Sequence, residues 1–512
     1  MSNNKLILKN TVYLYLRMLL SMAVTLYTSR VVLDALGVVD FGIYNVIGGI
    51  VVFFSLINNS MAAATQRFIT FELGKGVKQR VSNIFSMSMT IHIIICIVIL
   101  IVGESLGVYY VSNYLNVPPD RLETTYWLFQ ISILTLFFNI IRIPYHASII
   151  AYERMNFFAI ISILEVILQL LIAFLLYICN IDKLLLYGGL LLIVTSITTL
   201  SYKIYCNKCF ETCFYHWYFD WTYFRSLTKF FGWNFLGAIG TTGTNQIGNI
   251  LINYFCGPTI NASFGIANRV NTAIAGFTSN FQVAYTPQIT KLYSQGKIQD
   301  LYCLMLRSAL LSYYLLFMVA APLCFCLENV LSIWLVEVPP YAPAFIFFLI
   351  VYNLIDSVQA PLWKVITATG NIKYYEIWLN LLLILNIPLS YFFLKEGYPP
   401  YIVVIISTSL NFISAIARTI HVKIMIGLPI KDYLQKVVSR VLIVTIFYVM
   451  PSILFKFLVG IEHTWVVVLF YFISIIYISM LIFTIGIPKD DKLVIKISIG
   501  KIIENIAPMV PS

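Results

Sequence analysis

Fourteen mostly apolar stretches, each of about 20 residues or more, follow one another from end to end of the chain. A bilayer core of about 30 Å takes about 20 apolar residues to cross as a helix. Lipid offers the backbone no hydrogen bonds, so each stretch must satisfy its own N–H and C=O groups, which a helix does. The expected fold is therefore an all-α polytopic membrane protein of about fourteen transmembrane helices, near 8–32, 41–64, 82–106, 124–150, 156–178, 184–204, 228–254, 260–284, 306–327, 342–367, 376–394, 400–422, 440–459 and 465–487. Composition agrees: 60% of the 512 residues are hydrophobic and 11% charged, against about 25% charged in soluble domains. No connection is long enough for an extra soluble domain. The first stretch has no short apolar core followed by a small-residue cleavage site, so it reads as an uncleaved helix.

The net charge of +11 is explained by topology rather than by nucleic acid. Most of the 33 Lys and Arg fall in alternate connections, those that are cytoplasmic if the N-terminus is inside. This predicts a multi-pass membrane protein with both termini cytoplasmic.

Motifs recur roughly 220 residues apart. "FGIYN" at 41–45 returns as "FGIAN" at 264–268, "LGKG" is echoed by "SQGK", and "PYHASIIAYERMNFFAI" from Pro144 by "PLWKVITATGNIKYYEI" from Pro361. A duplication of six spans follows. Six is even, so both copies enter the membrane the same way, the parallel-repeat plan with pseudo-twofold symmetry about an axis along the membrane normal. The expected organisation is an N-terminal lobe over 1–204, a cytoplasmic linker over 205–227, a C-terminal lobe over 228–422, and two further helices with a cytoplasmic tail over 423–512.

Four spans carry polar stripes. Asn10, Tyr13, Arg17, Ser21, Thr25 and Thr28 share one face of the first, and Asn45, Ser55, Asn59 and Gln66 one face of the second. The seventh has Asn234, Thr241, Thr242, Asn245, Asn249 and Asn253, and the eighth has Asn261, Asn268, Arg269, Thr272 and Ser279. Helix-to-helix hydrogen bonds explain any one such stripe. They explain poorly four stripes at repeat-related positions, two of them carrying an arginine. A water-filled cavity between the halves accounts for all four, and an arginine facing it suits a phosphate anion through a bidentate fork.

Acidic residues inside spans are few. Glu165 and Asp356 each have two readings, a coupling-ion site or a partner for an arginine. Asn139, Arg142 and His146 share a face of the fourth span, as cavity wall or as a snorkelling cluster. Cys206, Cys209, Cys213 and His216 have a spacing open to zinc, but no second ligand pair follows, and a reduced, cysteine-rich surface loop is the expectation. Neither a metal nor a cofactor is expected. No GxxxxGK[ST], HExxH or nucleophile elbow is present, so neither an ATPase nor another enzyme is indicated.

"LGVVDFGIYNVIGG", "TQRFITFELGKG", "TPQITKLYSQGK" and "PLWKVITATGNIKYYEI" together resemble bacterial polysaccharide-export flippases, the Wzx-type O-antigen and capsule flippases of the multidrug/oligosaccharidyl-lipid/polysaccharide (MOP) superfamily. The resemblance covers roughly residues 5–485. It implies a two-lobed bundle of twelve core helices plus two in the bacterial inner (plasma) membrane, working by alternating access on an oligosaccharide linked to undecaprenyl diphosphate. It also implies basic residues on the first and eighth helices, which Arg17 and Arg269 match. Substrate contacts are then expected from Arg17, Arg269, Asn10, Asn45, Asn245, Asn249, Asn253, Asn268 and Thr272. Lipid-linked oligosaccharide, membrane lipids, a polysaccharide polymerase and glycosyltransferases are the expected partners of a monomer. Drug-extruding relatives place an acidic residue deep in a lobe helix, and the first span offers only Asp34 at its outer end. An ion-coupled exporter of drugs or metabolites is the alternative, and a non-transporting scaffold for polysaccharide synthesis a third.

Overall fold

The computed structural model describes residues 3–109, 119–179, 181–335, 338–459 and 464–488. These residues are helical almost throughout and contain no strand. Ten helices among them are long and apolar enough to cross a membrane: Lys78–Ser105, Pro119–Ala151, Met155–Ile178, Lys183–Cys209, Ile298–Phe325, Ala342–Thr369, Lys373–Lys395, Ile402–Ile426, Ile430–Leu458 and Trp465–Gly486. The other four expected spans lie in two long helices, Asn3–Lys75 and Trp221–Ser294.

At about 1.5 Å per residue, either long helix would be about 110 Å if straight, several times the hydrocarbon thickness. Trp221–Ser294 is broken at Gly257, with φ 83° and ψ 175°. Pro258 follows, and a residue before proline is pushed out of the α region. Glycine accepts the positive φ without a Cβ clash. The break falls between the expected seventh and eighth spans. Asn3–Lys75 differs from expectation, because the backbone stays helical through the connection expected near 33–40. That stretch contains Gly37 but no proline, so nothing there removes a backbone donor.

The repeat is visible in turns and helix contacts. "LGKG" and "SQGK" close with left-handed glycines, Gly76 (φ 78°) and Gly296 (φ 70°), which cap the preceding helices. The helices Leu122–Ala151 and Lys183–Cys209 are joined by Thr199 donating to the Phe138 carbonyl at 3.3 Å. Their counterparts Ala342–Thr369 and Ile402–Ile426 are joined by Thr408 donating to Phe348 O at 3.4 Å and Asn411 to Tyr352 O at 3.2 Å.

The chain forms two compact units. The first comprises 1–241, 283–297 and 367–376; the second comprises 242–282, 298–366 and 377–512. The first unit has one apolar cluster around Ile47, Leu128 and Leu176 and another around Ile84, Phe85 and Ile149. The second is built on Ile252, Phe264, Ala267, Leu316 and Phe345. Its last two helices, Ser439–Val459 and Thr464–Leu481, leave Ile446, Phe457 and Phe472 exposed, as helices covering a bundle do in lipid. The tail over 489–512 lies outside the described residues.

Candidate functional site

In the first unit three features that the sequence left apart come together: Arg17, Glu165 and the face carrying Arg142 and His146. The Arg142 guanidinium lies 3.5 Å from Glu165 Oε1 and donates to Asn139 Oδ1 at 3.0 Å and Thr198 Oγ1 at 3.2 Å. It also stands 5.8 Å from the centroid of the Tyr202 ring. His146 packs edge-on against Phe158 at 5.1 Å and leans on Tyr202 at 5.9 Å. Arg17 lies over the same Phe158 ring at 4.6 Å. Seven residues from three neighbouring helices thus enclose one polar spot, and Arg17 reaches it from a fourth.

Two features decide what this spot can do. Arg142 and Glu165 keep 23% and 29% of their side-chain exposure, so the group is open on one side. Two guanidiniums face one carboxylate, leaving an excess positive charge that suits an anion. Asn10 is buried on the same helix as Arg17. Phe158, Thr198 and Tyr202 carry no chemical motif in the sequence, and only their packing reveals them.

In the second unit the stripe on residues 261–279 is resolved into two faces. Phe264, Ala267, Ile274 and Phe281 are buried in the core. Gly265, Arg269, Thr272 and Ser279, spaced by helical turns, are exposed, and Asn268 is half-buried. Thr272 donates to Asn268 O at 2.9 Å and Ser279 to Gly276 O at 3.1 Å. Both hydroxyls are satisfied on their own helix and bridge to no other. Among the described residues Arg269 makes no ion pair. A lipid-facing surface would be apolar, since arginine at a helix centre costs about 2.5–3.5 kcal/mol in lipid even on the mildest scale. This face therefore fits water. Asn249 is half-buried and Asn253 exposed, while the side chains of Asn45 and Asn245 lie outside the described residues.

Asp356 meets Arg418, whose Nη1 is 3.0 Å from Oδ1. Of its two sequence readings, the arginine partner is the one seen in the structure. The cysteine group does not converge on a metal geometry, and the described residues contain no cluster of His, Cys, Asp or Glu able to hold an ion. His216 turns away to Asn83 and Ser86, at 3.3 and 3.0 Å. Cys206 and Cys213 are buried and Cys209 is exposed.

Sequence reading missed a clasp at the Lys/Arg-rich ends of the helices. Arg67 donates from Nε to Thr367 O at 3.2 Å and from Nη2 to Ala368 O at 3.0 Å, closing the C-terminus of the helix Ala342–Thr369. Its guanidinium lies 4.7 Å from the Phe68 ring centroid and 5.4 Å from that of Phe230. Nearby in the same unit, Glu153 is buried and paired with Lys291 and Gln288. Both contacts join residues more than 130 positions apart, which no local pattern could announce.

No family model and no curated protein matches this sequence. Solved structures do. A MATE transporter in its bent conformation is similar at TM-score 0.72 with 13% identity, over 85% of this chain and 99% of that one. An outward-facing multidrug-resistance MATE transporter of the MOP superfamily is similar at TM-score 0.71 with 12% identity, over 83% and 98%. A MOP-superfamily transporter from Pyrococcus furiosus, described as having a binding pocket of reverse polarity that suggests a different function, is similar at TM-score 0.67 with 13% identity, over 83% and 98%. At these identities the likeness speaks for architecture, and this polytopic all-α chain has the fold of the MATE transporters.

Proposed function

We propose that the protein is a flippase that moves an undecaprenyl-diphosphate-linked oligosaccharide across the bacterial inner membrane by alternating access, with both termini cytoplasmic. The observation that carries this reading is the exposed polar face around Arg269. A permanently charged guanidinium on a water-compatible helix face waits for an anion, and a diphosphate is one. Arg17, beside the charge-balanced Arg142–Glu165 pair, offers a second cation from the other repeat. The fold supports transport, and an anion-seeking interior departs from what a cationic drug requires. A polymerase and glycosyltransferases are the partners such a cargo implies.

Deletion tests the reading directly. Undecaprenyl-linked repeat units should accumulate on the inner leaflet while surface polysaccharide falls. Unchanged polysaccharide in a clean deletion, in a strain with no paralogue, would leave export of drugs or metabolites as the better account.

A further inference from the structure

The stretch "FYHWYFDW", residues 214–221, is the most aromatic in the chain and has no part in the site above. It follows the helix Lys183–Cys209 and a single turn at Glu211–Cys213, and runs non-helical until the next helix starts at Trp221. Its side chains alternate. From Tyr215 onward, His216 and Tyr218 are half-buried while Tyr215, Trp217 and Phe219 are exposed, Trp217 at 79%; Phe214 is exposed as well.

The inward residues pin the strip to the protein. His216 bonds Asn83 and Ser86 through its ring, and its backbone N–H donates to Ser86 Oγ at 3.2 Å. The Tyr215 hydroxyl bonds Thr90 Oγ1 at 3.4 Å, and within the strip Tyr218 donates to Asp220 at 3.4 Å. The outward rings then form a platform continued by Trp221, which stacks on Phe224 at 5.5 Å. A platform of this size pinned in the open is costly in water, at about 25 cal/mol per Å² of apolar surface left exposed.

Position says what covers it. The preceding helix is a membrane span and the following one leads into the expected seventh, so both ends of the strip stand at one membrane surface. Trp and Tyr concentrate at that depth because their rings are apolar and their N–H and O–H groups polar. The charges agree. Lys203, Lys208, Arg225 and Lys229 are exposed around the strip. Of the nearby acids, Glu211 is paired with Lys78 at 3.0 Å and Asp220 is spent capping the helix at Trp221. The local field is basic and suits anionic headgroups.

We infer that residues 214–221 lie in the headgroup layer of the adjacent leaflet. Trp217, Phe219 and Trp221 sit at the headgroup–acyl boundary, with Lys208, Arg225 and Lys229 on anionic phospholipid. The strip then ties the segment between the two repeats to the membrane surface on one side and, through His216, to the helix Lys78–Val102 on the other.

The full chain in nanodiscs of phosphatidylethanolamine and phosphatidylglycerol tests this. Trp217 emission, read as wild type minus Trp217→Phe, should be blue-shifted, several-fold quenched when the acyl chains are brominated, and insensitive to aqueous iodide. Reversing Arg225 and Lys229 to Glu should weaken bromine quenching in these discs and leave it unchanged where phosphatidylcholine replaces phosphatidylglycerol. Red emission quenched by iodide and not by bromolipid would overturn the inference and mark the strip as a surface for a soluble ligand or protein. Quenching indifferent to both charge reversals and headgroup would overturn its electrostatic half.

Discussion

Glu153 and Gly370 hold the same left-handed turn, one in each repeat. The φ angles are 59° and 79°, and the two residues lie equally far beyond the matched prolines Pro144 and Pro361. Glycine takes that conformation freely, whereas another residue pays roughly 1–2 kcal/mol. Glu153 uses the position to set a buried carboxylate on Lys291 and Gln288. Gly370 uses its missing side chain to admit the Arg67 guanidinium, which a Cβ would strike. Each turn is thus gripped by the end of a helix from the other repeat, by different chemistry.

Glu153→Gly separates backbone strain from the ion pair. It relieves about 1–2 kcal/mol of φ strain but removes one member of a largely buried pair, a loss of about 3–5 kcal/mol when both partners are fully enclosed. Lys291 keeps 27% of its side-chain exposure, which lowers that figure. The expected net is a destabilisation of about 1–2 kcal/mol, read as a lower thermal midpoint in lipid. A double-mutant cycle with Lys291→Met should show coupling, and strict additivity would refute the pairing.

Gly370→Ala and Gly296→Ala make a matched comparison. Both residues have positive φ, at 79° and 70°, so both alanines carry the left-handed penalty of about 1–2 kcal/mol. At Gly296 an added Cβ meets nothing within 4 Å, whereas at Gly370 it meets Arg67. Gly370→Ala should therefore be the more destabilising, by about 1 kcal/mol or more. Equal losses would mean that Arg67 moves aside freely.

At Arg269 charge should matter and bulk should not. Arg269→Gln and Arg17→Ala are expected to reduce flipping sharply per unit of inserted protein, and Arg269→Lys to retain part of it, because the charge survives and the fork does not. The exposure of Arg269 predicts that Arg269→Gln folds and inserts normally. Wild-type transport by Arg269→Gln would assign the arginine no role in cargo binding.

Asp220 supplies a pH signature outside the membrane-spanning helices. Its carboxylate accepts from the backbone N–H groups of Thr222 at 2.7 Å and Tyr223 at 3.3 Å. Chiefly through these bonds, its pKa is held below the ordinary value. A depressed folded-state pKa gives stability that is present above the unfolded value, about 3.9, and is lost as pH falls through the folded one. Asp220→Asn keeps the cap and abolishes the titration. Its unfolding midpoint should fall less than that of wild type as pH drops below about 4; parallel curves would show that the carboxylate is not the titrating group.

Particular residues show how far the sequence could be read. Span length, the Lys and Arg bias and the two helix-ending glycines, Gly76 and Gly296, are local properties, each set by a few neighbours and the solvent they meet. The exposed face of Arg269 was legible too, because helical periodicity sorts residues by direction whatever lies opposite. The joining of Arg17, Arg142, His146 and Glu165 was not, since each stripe gives a direction and no depth or neighbour. Asp356 shows the same limit: two partners were open to it by chemistry, and only packing brought Arg418 to 3.0 Å.

Chain order and hydrophobicity therefore determined that this protein is a twice-repeated helical bundle in a membrane, and which helix faces are polar. Tertiary structure decided which polar groups meet: Arg67 with Thr367 and Ala368, and Glu153 with Lys291. The reason is physical. Burial of a span depends on the sum of its own side chains against lipid, so it is written locally. An ion pair in a bundle depends on the relative height and rotation of two helices, and packing along their whole lengths sets both.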